Sequence, residues 1–208
     1  MKAVALLSGG LDSATSMLLA RKDMELVLAI TVDYGQKART HEMQVSLNLC
    51  RKHNIKHCII ELPFMSDLPS GLIEGSSLDV NNPWVPNRNG LFINLAGAYA
   101  ESLGAERVVC GFNAEEAVDF PDNSWEYVDT VNQSLYYSTL NHVKVVSCVQ
   151  GMNKQEIIGA AINLGIDLNS LWSCYEDGNL PCGHCPSCLR NMESFKKAGI
   201  EYGKDFVY

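Results

Sequence analysis

Basic runs, long apolar stretches, internal repeats and low-complexity tracts are all missing from this 208-residue sequence. Lysine and arginine total 16 against 24 acidic residues, a formal net charge of −8. The nearest thing to a basic cluster is Arg190, Lys196 and Lys197. A phosphate backbone repels such a chain, so direct nucleic-acid binding is not expected. No segment reaches the roughly 20 apolar residues that a membrane span needs. The stretch from Ala3 to Leu7 is too short for the apolar core of a secretion signal. A soluble, cytoplasmic protein without a membrane partner is therefore expected. Charge is sparse at 19% and hydrophobic residues make up 47%, which excludes wholesale disorder and suits one domain with a sizeable core.

What is present is an alternation of periods. Short apolar runs predict strands at Val4–Leu7, Leu26–Val32, Cys58–Leu62, Arg107–Cys110 and Val143–Val149. Helical spacing fills the gaps, over residues 13–22, 38–52, 88–103, 124–139 and 153–164. Asn153 with Glu156 three residues on is a capping signal for the last of these. The alternation predicts an α/β fold: a doubly wound, mostly parallel five-stranded sheet of Rossmann-like type. Ligands of such sheets bind beyond the carboxyl ends of the strands. Residues 63–87 break the pattern with four prolines and two glycines, and read equally as a binding lid or a surface excursion.

The first strand runs into Ser8-Gly9-Gly10-Leu11-Asp12-Ser13. Both Gly-Lys-Ser/Thr and Gly-x-Gly-x-x-Gly are absent, so this is neither a Walker A loop nor a dinucleotide fingerprint. Glycines before a helix still let backbone N–H groups close on phosphate oxygens, and the two serine hydroxyls can donate. Asp12 would repel phosphate unless a magnesium ion joined them. The competing reading is an ordinary strand-to-helix turn. The loop resembles the PP-loop of ATP pyrophosphatases, which implies that ATP is cut between its α and β phosphates. Its contact set would be Leu7, Ser8, Gly9, Gly10, Leu11, Asp12, Ser13 and Ala14.

Eight cysteines form two groups. Cys50, Cys58, Cys110 and Cys148 lie scattered among apolar residues and read as buried small hydrophobes. Cys174, Cys182, Cys185 and Cys188 are crowded at C-x7-C-x2-C-x2-C spacing. Four thiolates suit one tetrahedral structural Zn2+ per chain; an iron–sulfur cluster and a disulfide pair are the rivals. His184, inside the cluster, reads as a neighbour rather than a ligand. The chain then divides into residues 1–172, an ATP-binding α/β domain, and residues 173–208, a zinc-binding segment packed on it.

Further segments narrow the reading: Asp33-Tyr34-Gly35-Gln36, Val85-Pro86-Asn87-Arg88-Asn89, Phe120-Pro121-Asp122, Asn153-Lys154-Gln155-Glu156 and Ser173-Cys174-Tyr175. This ordered set is similar to the 7-cyano-7-deazaguanine synthase family, a PP-loop (HUP-like) group. The resemblance implies ATP-dependent conversion of 7-carboxy-7-deazaguanine and ammonia to the nitrile through adenylated intermediates, with Mg2+, a structural zinc and a homodimer. It implies that Asp12, Arg88 and Lys154 serve catalysis and that Asp33, Tyr34, Gly35 and Gln36 border the adenosine. It further implies that Arg88, Asn89, Asp119, Asp122 and Glu126 meet the substrate. In bland readings Arg88 and Lys154 are solvated helix-end charges, Asn123 with Glu126 is a helix cap, and Tyr34 and Trp125 are packing residues. Phe120-Pro121-Asp122-Asn123-Ser124 stands where the family has Tyr-Pro-Asp-Cys-Arg, and Asn87 where it has Gly. Those departures keep open ligation of a deazaguanine carboxylate to another amine such as a protein terminus; a PP-loop tRNA-modifying enzyme and a zinc-tailed binding module are the further alternatives.

Overall fold

A computed structural model describes residues 1–200 of the protein. Five parallel strands form one sheet in the order β3-β2-β1-β4-β5. They are β1 (Lys2–Leu6), β2 (Glu25–Asp33), β3 (His57–Glu61), β4 (Arg107–Cys110) and β5 (Lys144–Ser147). The helices are α1 (Leu11–Ala20), α2 (Arg39–Lys52), α3 (Arg88–Ser102), α4 (Glu116–Asp119), α5 (Trp125–Ser138), α6 (Lys154–Asn163) and α7 (Pro186–Lys197). The chain winds outward from β1 to β3 and then crosses back to β4, so the strand order reverses between β1 and β4. That reversal opens a crevice beyond the carboxyl ends of the two strands.

The alternation of strand side chains builds two cores. Ala3 and Ala5 of β1 face Met17 of α1 and Ile157 and Ile158 of α6. Val4, between them in sequence, faces Ile30, Ile93 and Leu135 on the other side of the sheet. On this face α1 packs on β4 and α6. α7 packs on α6, and its Phe195, with Cys174, Cys185 and Cys188, belongs to the first core. Residues 201–208 of the expected zinc segment lie outside the described residues.

Two local details differ from the sequence expectation. α1 begins at Leu11, with Gly10 as its extended N-cap, so Asp12 and Ser13 lie inside the first turn. Residues 63–87 are not a surface excursion: Met65, Leu72, Ile73, Val80 and Val85 are buried. This segment is stitched to the end of β2 by Lys37 N–H on the Leu72 carbonyl at 2.9 Å and Glu74 N–H on the Gly35 carbonyl at 2.9 Å. The Asn153–Glu156 capping box forms as the sequence indicated.

Candidate active site

The loop between β1 and α1 is held by its carbonyls. Thr31 Oγ1 donates to the Leu7 carbonyl at 2.7 Å, and Trp172 N–H donates to the Gly9 carbonyl at 3.0 Å. The Ser8 and Ser13 hydroxyls meet at 3.1 Å. The Gly9 and Gly10 N–H groups have no protein partner among the described residues. Gly9 adopts φ +74°, a backbone state that side chains rarely take. The result is a cradle of free amides, hydroxyls and a helix N-terminus, the chemistry of a phosphate site. Gly111, just after β4, presses on it: a Cβ there would lie 2.6 Å from Ser13 N. The sequence signal for Gly111 was a glycine at a strand end, which marks close backbone approach.

Asp12 and Lys154 meet beside the cradle. Lys154 Nζ donates to both Asp12 oxygens, at 2.9 and 2.7 Å, and lies 3.7 Å from Glu116 Oε1. Burial raises the Asp12 pKa and Lys154 pulls against it. For Lys154, burial opposes the charge, but Asp12 and Glu116 outweigh it and the pKa is raised. With 3% exposure, Lys154 is no solvated helix-end charge.

A cavity of about 250 Å³ extends from the cradle. Leu7, Ser8, Gly10, Asp12 and Ser13 line it at one end; Arg88, Asn89, Asp122 and Asn123 also line it. Arg88 Nη1 donates to Tyr34 Oη at 3.4 Å, and its guanidinium stands 5.9 Å from the Tyr34 ring centre. Tyr34 and Gln36 face the cavity, whereas Asp33 accepts from Gly35 N–H at 3.0 Å and shapes the turn. Asn123 donates to Asp122 at 3.1 Å, and burial raises the Asp122 pKa despite Arg88 nearby.

Four expectations need correction. Asp119 is exposed, outside the cavity lining, and 3.5 Å from Arg190. Glu126 is exposed on the first turn of α5, also outside the lining. The cap of α5 is Ser124, whose hydroxyl accepts from Tyr127 N–H at 3.1 Å, not Asn123, which is buried. Trp125, read as a packing residue, is 59% exposed.

The cavity also contains residues that sequence reasoning left unassigned. Glu42 accepts from Gln36 Nε2 at 2.8 Å; burial pushes its pKa up to about 7, against Gln36 and Arg88. Its position within an amphipathic helix gave no sign of this. Ser173 and Tyr175 line the cavity, and Ser173 Oγ accepts from Leu11 N–H at 3.4 Å. The tail therefore completes the wall of the cavity beside the Ser8–Ser13 loop.

The four tail cysteines converge as their spacing indicated. Their sulfurs all lie within 4.8 Å of one another, and Cys182 and Cys188 are 3.9 Å apart. Tetrahedral zinc with Zn–S of about 2.3 Å requires sulfurs about 3.8 Å apart, so the set fits. Hydrogen bonds from Cys174 and Cys188 lower the Cys185 pKa, while Cys174 is raised. His184 is exposed and turned to the Cys182 carbonyl at 3.0 Å.

A reversed parallel sheet with a glycine–serine phosphate cradle at its switch point defines a PP-loop enzyme fold. Solved structures agree. The fold is similar to a 4-thiouridine synthetase–RNA complex with bound ATP (TM-score 0.58, 19% identity, covering 95% of this chain and 50% of that one). It is also similar to NMN synthetase from Francisella tularensis (TM-score 0.56, 19% identity, 97% and 79%). The family model described as "Queuosine biosynthesis protein QueC" matches residues 2–199. A 7-cyano-7-deazaguanine synthase from Pelotomaculum thermopropionicum is 43% identical over 97% of this chain and 99% of its own. Another, from Carboxydothermus hydrogenoformans, is 47% identical over 91% and 95%. The chain belongs to the QueC family and is an enzyme of queuosine biosynthesis. No helix among the described residues is long and apolar enough to cross a membrane.

Proposed function

We propose that this enzyme converts 7-carboxy-7-deazaguanine and ammonia to 7-cyano-7-deazaguanine with ATP. The observation that carries the reading is the free Gly9 and Gly10 amides beside the Asp12–Lys154 pair, opening on one continuous cavity. In the first step a substrate carboxylate oxygen attacks the α phosphorus of ATP and expels pyrophosphate into the Ser8–Ser13 cradle. Ammonia then attacks the acyl carbon, and AMP leaves with that oxygen. The amide oxygen is adenylated by a second ATP, and loss of AMP yields the nitrile. Adenylation is needed because hydroxide and oxide are poor leaving groups; each 1.4 kcal/mol removed from the barrier gives about tenfold in rate.

The residues take distinct parts. Leu7 to Ala14 form the phosphate end, and Tyr34 and Gln36 border the adenosine on a turn shaped by Asp33 and Gly35. Lys154 neutralises phosphate charge, and Arg88 pairs with the substrate carboxylate. Asn89 and Asp122 face the deazaguanine. Asp12 is the residue that would hold Mg2+: it lines the cavity beside the cradle, and its carboxylate already pairs with a cation, the Lys154 ammonium. Magnesium there would supply charge neutralisation on the ATP phosphates. Zn2+ on Cys174, Cys182, Cys185 and Cys188 would leave no open position and so would order the tail around these four thiolates, while the packing of α7 on α6 joins it to the rest of the fold. A cytoplasmic homodimer is the expected form. The direct test is isotope exchange between pyrophosphate and ATP. It should depend on 7-carboxy-7-deazaguanine and vanish in Asp12→Asn; exchange without the carboxylate would contradict this reading.

A further inference from the structure

One pair of rings in the cavity has no part in the chemistry above. Trp84, from the segment before α3, and Phe120, from the segment before α5, both line the cavity. Their ring planes are within 8° of parallel and their centres are 6.3 Å apart. Phe120 is braced by the Arg190 guanidinium, 6.0 Å from its centre, and Arg190 is itself tied to Tyr175 Oη at 3.3 Å. Trp84 remains 43% exposed while lining the cavity. A large flat apolar ring left open beside a cavity is surface that a flat ligand covers favourably.

We propose that Trp84 and Phe120 form the stacking platform for the substrate's heterocycle, a guanine-type base, with the Asp122 carboxyl reading its edge. This rests on the substrate reading above. The choice of base follows from donors and acceptors. Asp122 lies two residues beyond Phe120 and lines the same cavity. An ionised carboxylate only accepts hydrogen bonds, so it matches the adjacent ring N–H and amino donors of a guanine-type edge. Adenine presents a donor beside an acceptor and is not matched by that group alone. Asn123 donates to Asp122 at 3.1 Å and fixes its orientation, which leaves its remaining acceptor positions for the ligand.

The experiment measures binding without turnover. 7-Carboxy-7-deazaguanine and, separately, ATP are titrated by calorimetry into the full chain and its Trp84→Ala, Trp84→Phe and Phe120→Leu variants, with tryptophan fluorescence followed in parallel. Trp84→Ala should weaken binding of the deazaguanine by about ten- to a hundredfold and leave ATP within about twofold. Trp84→Phe should keep most of the affinity but lose the fluorescence quench that the base produces in the unaltered chain. Circular dichroism checks that Phe120→Leu folds; it should weaken the deazaguanine selectively as well. Unchanged deazaguanine affinity in Trp84→Ala and Phe120→Leu overturns the platform alone. Equal weakening of ATP also overturns it, by making the pair an adenine site. If the unaltered chain binds no deazaguanine, the substrate reading fails and the platform falls with it.

Discussion

Lys154 Nζ lies 2.7 and 2.9 Å from the two oxygens of Asp12, across 142 residues of sequence. The pair joins the first turn of α1 to the first turn of α6 at the mouth of the phosphate cradle. A buried ion pair is stabilising mainly in the sense that breaking it strands a charge. Lys154→Met should therefore destabilise the protein by about 3 kcal/mol in urea unfolding. The double variant Asp12→Asn with Lys154→Met should recover much of that loss. Additive losses would mean that the two side chains act independently.

Glu42 should make stability fall with rising pH. Burial raises its folded pKa to about 7, with Gln36 and Arg88 pulling it down. The folded pKa is above the unfolded one, so between about pH 4.5 and 7 the native state keeps a proton that the unfolded chain has released. Stability from this group is present at low pH and lost as pH rises through that window. Glu42→Gln keeps an acceptor for Gln36 without the charge. Relative to the unaltered chain it should gain about 2 kcal/mol at pH 8 and little at pH 4, after allowing for screening at the cavity mouth. A pH-independent difference in urea unfolding would refute this.

Gly111→Ala should damage the cradle without altering any charge. Its Cβ would meet Ser13 N at 2.6 Å, Ser13 Cα at 2.8 Å and Asp12 C at 2.9 Å, all backbone atoms that cannot rotate away. Overpacking of this kind costs about 1–3 kcal/mol. The shift of α1 should also weaken ATP binding at least several-fold in calorimetry, and wild-type ATP affinity would argue against the cradle.

Metal analysis should find one zinc ion per chain, and chelation should lower the melting temperature. It should weaken ATP binding too, because Trp172 N–H and Ser173 Oγ hold the loop at the Gly9 carbonyl and Leu11 N–H. Iron in place of zinc, or full ATP affinity after chelation, would contradict the role of zinc in ordering the tail.

The sequence carried the fold far. Short apolar runs located all five strands: β1, β2 and β4 are largely buried within the sheet, and the half-buried edge strands β3 and β5 still carry enough apolar residues to be seen. The Ser8–Ser13 loop and the four cysteines were legible because their chemistry is local: a few residues close on one ligand. The substrate end was less so. Asp119 and Glu126 were expected there from the family resemblance, but the short α4 and the first turn of α5 turn them to solvent. Lys154 was ambiguous because a helix-start lysine is usually solvated; only the crossing from β5 to α6 shows that it reaches Asp12. Glu42 and Trp84 had no motif at all, since each enters the cavity through packing between distant segments.

The central claim is that ATP activates a carboxylate by adenylation at the Ser8–Ser13 cradle. Its most direct test uses 7-carboxy-7-deazaguanine with both carboxylate oxygens labelled with 18O, incubated with ATP, Mg2+ and ammonium and followed by mass spectrometry. The account predicts the nitrile, pyrophosphate, and AMP carrying the substrate's 18O, one label from each of two activations. ADP and phosphate in place of AMP, or AMP without label, would contradict it.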